Sequence, residues 1–250
     1  MQVPNAGPEP RLYSDLARWW PLLSPPSHYT EEANHLFSVL RTATEPPPRT
    51  LLELGAGGGS LAFHLKQELV LTLSDCSSRM LEVSQNVNPE CEHVLGDMRW
   101  LRLGREFDAV LIHDAIMYMT DAASVRKALQ TAREHCRDGG VVVLVPDHVR
   151  ETFTAGTSTG GEDAPDGRGL RYVEWRWDPD PLDTTYELAF AFLLREADGT
   201  VKADADWHRL GLFPRQQWLE WLGEAGFSPR VTADPWDRSI FVGLRTDRPA

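Results

Sequence analysis

Residues 51–60 read LLELGAGGGS, an apolar run containing Glu53 that gives way to a cluster of glycines. The next five residues, LAFHL, return to an apolar pattern. This order predicts a strand, a tight turn and the start of a helix. Glycine permits positive φ and lets a ligand approach the backbone, and a helix N-terminus offers free N–H groups. The stretch therefore predicts a ligand-binding turn.

An acidic residue further along supports this interpretation. Asp75 closes the next apolar run, residues 69–74. It follows Gly55 by about 20 residues, the spacing at which an acid at the end of the second strand meets the hydroxyls of a ribose. The ligand is thus predicted to carry a ribose.

Two cofactor classes compete for this turn. The dinucleotide pattern G-x-G-x-x-G fails, because Ser60 stands where the third glycine belongs. The pattern E-x-G-x-G-x-G fits fully, and it resembles motif I of the class I S-adenosyl-L-methionine (SAM) methyltransferases. An acidic Glu53 beside the turn suits the cationic sulfonium of SAM better than a pyrophosphate.

Composition narrows the choice of partners. The formal net charge of −12 and the isoelectric point near 5.1 argue against a nucleic-acid partner, which needs a basic footprint. Three cysteines without framework spacing indicate reduced thiols in a cytoplasm. Neither a signal peptide nor an apolar run long enough for a membrane is evident, so we expect a cytoplasmic enzyme without a membrane partner.

Strands and helices alternate from residue 49 to residue 145, which predicts a Rossmann-like α/β sheet, mostly parallel with an antiparallel last strand. Predicted strands cover 50–54, 70–74, 91–95, 107–112 and 141–145, and predicted helices 77–87 and 124–136. A helix over 214–225 starting at Pro214 and strands over 227–233 and 239–245 complete this domain.

Two further segments frame the sheet. Residues 1–48 are predicted to form a helical cap, with helices over 12–20 and 28–42 and Thr30 as an N-cap. Residues 154–213 are predicted to be an insertion, with a mobile lid over 154–169 and antiparallel strands over 170–177, 185–194 and 207–213. The methyltransferase domain is assigned to 49–250.

Several segments together resemble the dTDP-3-amino-sugar N,N-dimethyltransferases of antibiotic sugar pathways. They are GDM at 96–98, FDAV at 107–110, DGGVVV at 138–143, ETF at 151–153, WH at 207–208, LF at 212–213 and FVG at 241–243. The segment HDAIMY at 113–118 looks more like a general small-molecule SAM methyltransferase. The resemblance implies that SAM is the cofactor.

The resemblance also implies residue roles. Glu53 and the glycine turn would hold the methionine moiety, Asp75 the ribose hydroxyls, and Asp97 the adenine amino group. Cys76 and Met98 would lie beside the adenine. The cofactor-binding candidates are Glu53, Gly55, Gly57, Gly59, Asp75, Cys76, Met80, Asp97, Met98 and His113.

Methyl transfer needs a deprotonated and desolvated acceptor, so we look for bases near the ligand edge of the sheet. The catalytic candidates are His113, Asp114 and His208. Tyr13, Tyr118 and His148 are the candidate substrate contacts. These polar groups favour a small polar acceptor, such as an amino sugar, methylated on nitrogen. We find no metal-ligand pattern and predict no metal.

Three alternatives stay open at this point. The acceptor atom could be an oxygen of a small secondary metabolite. The chain could be an NAD-linked reductase, or a SAM-binding module without turnover. The prediction also allows for a homodimer.

Overall fold

The computed structural model describes residues 10–246, and eleven strands run through them. The strands are β1 Thr50–Leu54, β2 Val70–Asp75, β3 Glu92–Leu95, β4 Phe107–His113, β5 Cys136–Val145, β6 Gly156–Gly160, β7 Gly169–Trp177, β8 Thr185–Arg195, β9 Val201–Gly211, β10 Phe227–Ala233 and β11 Ser239–Arg245. The helices are α1 Trp20–Leu23, α2 Thr30–Ala43, α3 Ala62–Leu65, α4 Ser78–Val87, α5 Ala122–His135 and α6 Arg215–Glu224.

Seven strands form the main sheet in the order β10-β11-β5-β4-β1-β2-β3. The first five strands pair in parallel, and β11 is antiparallel to both of its neighbours. This is the predicted Rossmann-like architecture with an antiparallel last strand. The carboxyl ends of β1, β2 and β4 therefore meet at one edge, where open α/β sheets bind their ligands.

Helices cover both faces of this sheet, which explains why the central strands are mostly apolar. Side chains of α2 and α3, including Leu36, Leu40 and Leu65, pack on one face. Those of α5 and α6, including Leu129 and Trp218, pack on the other. Two apolar cores thus fix the strand ends that carry the polar residues.

The insertion forms a second, antiparallel sheet in the order β6-β7-β8-β9. Along β8 and β9, buried side chains alternate with more exposed ones, as in a strand that has one face on a core. Phe190, Phe192 and Leu194 of β8 pack there against Leu12 and Trp19 of the N-terminal segment. The N-terminal segment, defined here as residues 10–29, is therefore sandwiched between the two sheets.

Four predictions of local structure were wrong. The helix expected over 12–20 is replaced by 3-10 turns at Arg11–Tyr13 and Ala17–Trp19, followed by the short α1. Its apolar residues follow the curved inner face of the insertion, so tertiary packing outweighs helical spacing. Thr30 is the first residue of α2 and caps nothing, because the 3-10 turn Pro26–Tyr29 runs directly into the helix.

The other two corrections lie further on. The lid predicted over 154–169 contains β6, since its Thr and Ser residues alternate and pair with β7 along its whole length. Pro214 is the residue before α6, with extended backbone angles, so it precedes the helix that it was expected to begin. The predicted cap starts in residues 1–9, which lie outside the described range.

Candidate active site

The glycine turn leaves β1 at the carboxyl edge of the main sheet. The Gly55 and Ala56 N–H groups donate to the Ser74 carbonyl at 2.8 and 2.9 Å, which binds the turn to β2. Gly55 has φ of +79°, and a Cβ there would lie 2.3 Å from the Ala115 Cβ. Only glycine can therefore hold this close approach.

Asp75 lies where the ribose contact was predicted. One carboxylate oxygen accepts the Gly57 N–H and the other accepts the Ser77 N–H, each at 2.8 Å. The carboxylate thus joins the glycine turn to the N-terminus of α4. Both of these donors are backbone N–H groups, so the orientation of the carboxylate does not depend on another mobile side chain. A fixed carboxylate suits the predicted contact with two adjacent ribose hydroxyls.

Glu53 is buried at the end of β1, and its Oε2 has no hydrogen-bond partner among the described residues. Burial raises the pKa of Glu53 to about 7 against the opposing charge of His113, and Asp75 adds to the rise. An unpartnered buried carboxylate is expensive unless a cation reaches it. The ammonium or sulfonium of SAM is such a cation, so the residues present fit this cofactor.

Trp20 of the N-terminal segment covers the turn. A Cβ on Gly58 would lie 2.2 Å from the indole Cδ1, so the ring rests directly on the turn backbone. The Trp20 Nε1 is buried and unpartnered among residues 10–246. Met80 and Met98 line the same turn, with Cε atoms 3.7 and 3.0 Å from the Cβ positions of Gly57 and Gly55.

The adenine contacts were predicted at Asp97, Met98 and Cys76. Asp97 is bound by Arg99, whose Nη2 lies 2.5 Å from Oδ2 and whose backbone N–H donates to Oδ1. Burial opposes ionisation of Asp97, but these donors lower its pKa below the usual range. An adenine amino group would share this carboxylate with Arg99. Cys76 is exposed beside the turn.

His113 lies in a charged network with Glu32, Asp114 and Arg238. Its Nε2 is 2.6 Å from Glu32 Oε1, and its Nδ1 is 3.2 Å from Asp114 Oδ2. Arg238 also binds Glu32, and donates from Nε to Asp234 at 2.7 Å. Burial favours the neutral ring, but Asp114 and Glu32 raise the pKa of His113 to about 9. At neutral pH His113 is a cation, not a proton acceptor.

The tyrosines and His208 form a separate cluster. The Tyr13 and Tyr118 hydroxyls lie 2.7 Å apart, and the Tyr118 hydroxyl is 2.5 Å from His208 Nδ1. Tyr118 comes from the 3-10 turn after β4, and His208 from the inner face of β9. The structure thus brings together three predicted residues from distant parts of the chain.

A cavity of about 440 Å³ opens between the main sheet and the insertion. Its lining residues combine carboxylates with guanidinium groups; they are Asp147, His148, Thr152, Glu174, Arg176, Tyr186, Leu188, Trp236, Asp237 and Arg238. Desolvation and the Asp114 carboxylate raise the pKa of Asp147 above its ordinary range. Burial lowers the pKa of His148, which leaves its ring neutral at pH 7.

Sequence reasoning missed Glu32, Arg176 and Arg238, and it did not count Trp20 among the site residues although aromatics of the N-terminal segment were considered as a cover. Each belongs to a segment that reaches the site only through the tertiary fold, and none has a local motif. Asp206 was also missed, but a signal existed: it stands two positions before His208 on a strand, which places both side chains on one face.

Residues 10–246 contain neither a membrane-spanning helix nor a cluster of side chains that could bind a metal ion. Within that range no helix has the length and apolarity to span a membrane. The same range holds no cluster of three or more His, Cys, Asp or Glu side chains able to bind a metal ion.

Comparison with known proteins shows similarity to a methyltransferase domain and to sugar N,N-dimethyltransferases. Residues 51–140 match the family model of a methyltransferase domain. The chain is 27% identical to a dTDP-3-amino-3,6-dideoxy-alpha-D-glucopyranose N,N-dimethyltransferase of Streptomyces fradiae, covering 96% of this chain and 94% of the relative. It is 28% identical to the dTDP-3-amino-3,4,6-trideoxy-alpha-D-glucopyranose N,N-dimethyltransferase of Streptomyces venezuelae, over 86% and 91% of the two chains.

Solved structures agree with the sequence comparison. The crystal structure of Streptomyces venezuelae DesVI superposes with a TM-score of 0.80 at 25% identity, covering 90% of this chain and 94% of that one. The predicted fold class and the predicted resemblance are confirmed. The methyltransferase match also favours the predicted enzyme class over an NAD-linked reductase and over a module without turnover.

Proposed function

We propose that this chain, a SAM-dependent methyltransferase, methylates the amino nitrogen of a nucleotide-linked amino sugar. The observation that carries the proposal is the 440 Å³ cavity, which places carboxylates and guanidinium groups in one space. Carboxylates attract an ammonium group, and guanidinium groups bind phosphate oxygens with matched geometry. A nucleoside diphosphate amino sugar carries both charges. The relatives' names describe acceptors of this kind.

The anionic half of the acceptor is assigned to Arg176 and Arg238. Arg176 is held by Glu174 at 3.2 Å and by the Thr154 carbonyl at 3.1 Å. Arg238 is held by Glu32 and Asp234. Both guanidinium groups are anchored before substrate arrives, which lowers the entropy lost on binding. The cationic half is assigned to Asp147 and Asp114, near the carboxyl ends of β5 and β4.

The chemistry follows from the surroundings of the amine. SAM, when bound, supplies an electrophilic methyl carbon. The chain's own residues orient the amine, exclude water and accept its proton, because only the neutral amine has a lone pair for attack. We assign the proton acceptor to His208 rather than to His113, because the neighbouring carboxylates raise the pKa of His113 to about 9.

We also propose a division of the chain into three parts. They are a cap at 1–48, a methyltransferase domain at 49–250 and, within that domain, an insertion at 154–213. In this division the cavity lies between the domain and its insertion. A cytoplasmic location, a homodimer and the absence of nucleic acid among its partners stay predictions.

The test uses purified protein, SAM and dTDP-3-amino-3,6-dideoxy-glucopyranose, with products identified by mass spectrometry. We expect mono- and dimethylated sugar, and no product from dTDP-glucose, which offers hydroxyls but no amine. Methylation of dTDP-glucose would instead support the O-methyltransferase alternative. Failure of both sugars would contradict the proposed acceptor class.

A variant pair checks the binding assignment. Arg176→Gln should raise KM for the dTDP-sugar by about tenfold or more, the value of a lost charged hydrogen bond, and leave S-adenosylhomocysteine affinity unchanged. Arg171→Gln is the matched control, because Arg171 lies on the same strand and pairs with Asp163 away from the cavity. Equal KM values for both variants would remove Arg176 from the site.

A further inference from the structure

A line of four polar side chains, two buried and two half-buried, connects β9 with the N-terminal segment. Asp206 Oδ2 lies 3.1 Å from His208 Nε2, and His208 Nδ1 lies 2.5 Å from the Tyr118 hydroxyl. The Tyr118 hydroxyl lies 2.7 Å from that of Tyr13. The His208 side chain is 1% exposed and that of Asp206 is 6% exposed, so water does not compete for the contact between these two residues.

The proton positions follow from the ends of the line. Desolvation opposes ionisation of Asp206, but contacts from His208 and from the Leu12 N–H at 2.7 Å lower its pKa below the usual range. Asp206 is therefore a carboxylate and can only accept. His208 Nε2 lies at ion-pair distance from this carboxylate and has no hydrogen-bond partner among the described residues, so the charge of Asp206 favours a proton on Nε2. The Nδ1 lone pair is then left for the Tyr118 hydroxyl. Tyr118 in turn accepts from Tyr13.

The far end of the line lies among the candidate reaction groups. The Tyr13 ring is 5.8 Å from the ring of Trp20, which rests on the glycine turn. The Tyr13 carbonyl accepts a hydrogen bond from Ser77, next to the residues that hold Asp75. Burial raises the pKa of Tyr13 well above its ordinary value, and Asp75, Asp147 and Asp114 raise it further. Tyr13 thus lies beside Trp20, which rests on the glycine turn, and beside Ser77, whose N–H binds Asp75.

We propose that Asp206 is a positioning residue that holds His208 in its Nε2–H tautomer, so that the line from Tyr13 to His208 removes the proton of the acceptor ammonium. This inference rests on the proposed function. The ammonium N–H gives its proton to the Tyr13 oxygen while Tyr13 passes its own to Tyr118 and Tyr118 passes its own to His208 Nδ1. The amine keeps the electron pair, and His208 becomes an imidazolium beside the Asp206 carboxylate.

His208 is the member of the line that lies beside a carboxylate. Burial raises the pKa of both tyrosines, so neither phenolate accumulates and each tyrosine only relays. The imidazolium gains a carboxylate partner in a place that excludes water, where such a pair interacts strongly. Before a second methylation, His208 must lose the proton that it gained, because the monomethylated ammonium must also give up a proton to the line.

The first test reads the tautomer directly. Nitrogen-15 NMR of histidine-labelled protein, with His208 assigned by its loss in His208→Gln, should show an unprotonated Nδ1 and a protonated Nε2 in the wild type. Asp206→Asn should shift this balance, because an amide lacks the charge that holds the Nε2 proton. A wild-type His208 protonated on Nδ1 would overturn the inference, whatever the identity of the acceptor.

The second test is kinetic. Asp206→Asn keeps an oxygen for the Leu12 N–H, so we expect it to fold, to bind S-adenosylhomocysteine normally and to keep KM for the dTDP-amino sugar within about twofold. Its kcat should fall by about 10- to 100-fold, as for a lost base function. An unchanged kcat in a folded variant would refute the role of Asp206.

Asp204→Asn is the matched control. Asp204 lies two positions away on the same face of β9 and binds Arg11 of the N-terminal segment, but it is outside the line. Asp204→Asn should keep wild-type kcat, which separates the effect of the proton relay from the effect of attaching the N-terminal segment to β9.

If Asp206→Asn fails to fold, Tyr118→Phe breaks the line at another point and should lower kcat equally. If no amino sugar is turned over by the wild type, the proposed acceptor fails while the tautomer test still stands.

Discussion

At the scale of single residues, Glu53 is a buried acid whose proposed role is to pair with the cation of the cofactor. A carboxylate buried without a partner destabilises the fold when it ionises, and this is why its pKa rises to about 7. A bound cation reverses the balance, because the carboxylate then has a charge to pair with.

Glu53→Gln should therefore weaken S-adenosylhomocysteine binding at pH 8 by about 10- to 100-fold, the worth of a charged hydrogen bond. In the wild type, affinity should rise as pH increases through about 7, because Glu53 ionises there. The variant should show a flatter dependence. Titration calorimetry at pH 6, 7 and 8 measures both effects.

Glu92→Gln is the control for this experiment, because Glu92 lies in the same sheet and its side chain is 50% exposed beside Arg105. Its affinity should match the wild type at each pH. If the two variants behave alike, Glu53 does not contact the cofactor.

At the scale of elements, the N-terminal segment joins the glycine turn to the insertion. Its backbone is bound on one side by Ser60, which donates to the Ser24 carbonyl at 2.5 Å, and by Ser77. On the other side the Leu12 N–H donates to Asp206, and Arg18 binds Glu196. A segment of short turns is thus held by both sheets and places Trp20 over the turn.

Trp20→Ala should loosen the turn and weaken cofactor retention. The indole ring packs on Gly58, and its loss removes apolar contact area worth about 1–2 kcal/mol. Hydrogen exchange at residues 57–59 should accelerate, and S-adenosylhomocysteine should dissociate faster. Trp100→Ala is the control, since that ring is 54% exposed, contacts Lys127 and is not among the atoms nearest to the turn glycines. If hydrogen exchange at residues 57–59 stays the same in Trp20→Ala, the indole ring does not protect the turn.

The same elements show what sequence could predict. The strands of the main sheet and the turn at Gly55 were predicted because their patterns are local: alternation, glycine spacing and an acid at a strand end. The N-terminal segment was not, because its apolar residues take their conformation from the insertion they pack on. The contact of Glu32 with Arg238 spans 206 positions. No local pattern encodes such a pair, and without it the charged state of His113 could not be inferred.

At the scale of the whole molecule, the charged network joins three layers. Glu32 belongs to α2, His113 to β4, and Arg238 to the turn that leads into β11. The chain carries a formal net charge of −12, so a buried cation at His113 lies in a field that favours it. The network therefore couples the protonation of one ring to the packing of the cap on the main sheet.

Stability should accordingly depend on pH in a direction fixed by the shifted groups. His113 has a raised folded-state pKa of about 9, so its contribution is complete below its ordinary value near 6.5 and is lost as pH rises through 9. Glu32 has a lowered pKa of about 2, so its contribution is complete above 4.5 and is lost as pH falls through 2. Both contributions are complete between pH 4.5 and 6.5.

Between pH 6 and 9.5 the wild type should thus lose about 1–3 kcal/mol of unfolding free energy through His113. His113→Gln lacks this dependence, so it should be the less stable protein at pH 6 and approach the wild type at pH 9.5. Denaturant unfolding at both pH values measures the difference, with His28→Gln as an exposed control. A constant gap between wild type and His113→Gln across this range would mean that the ring is neutral in the folded protein. His113 would then regain its place beside His208 as a candidate base.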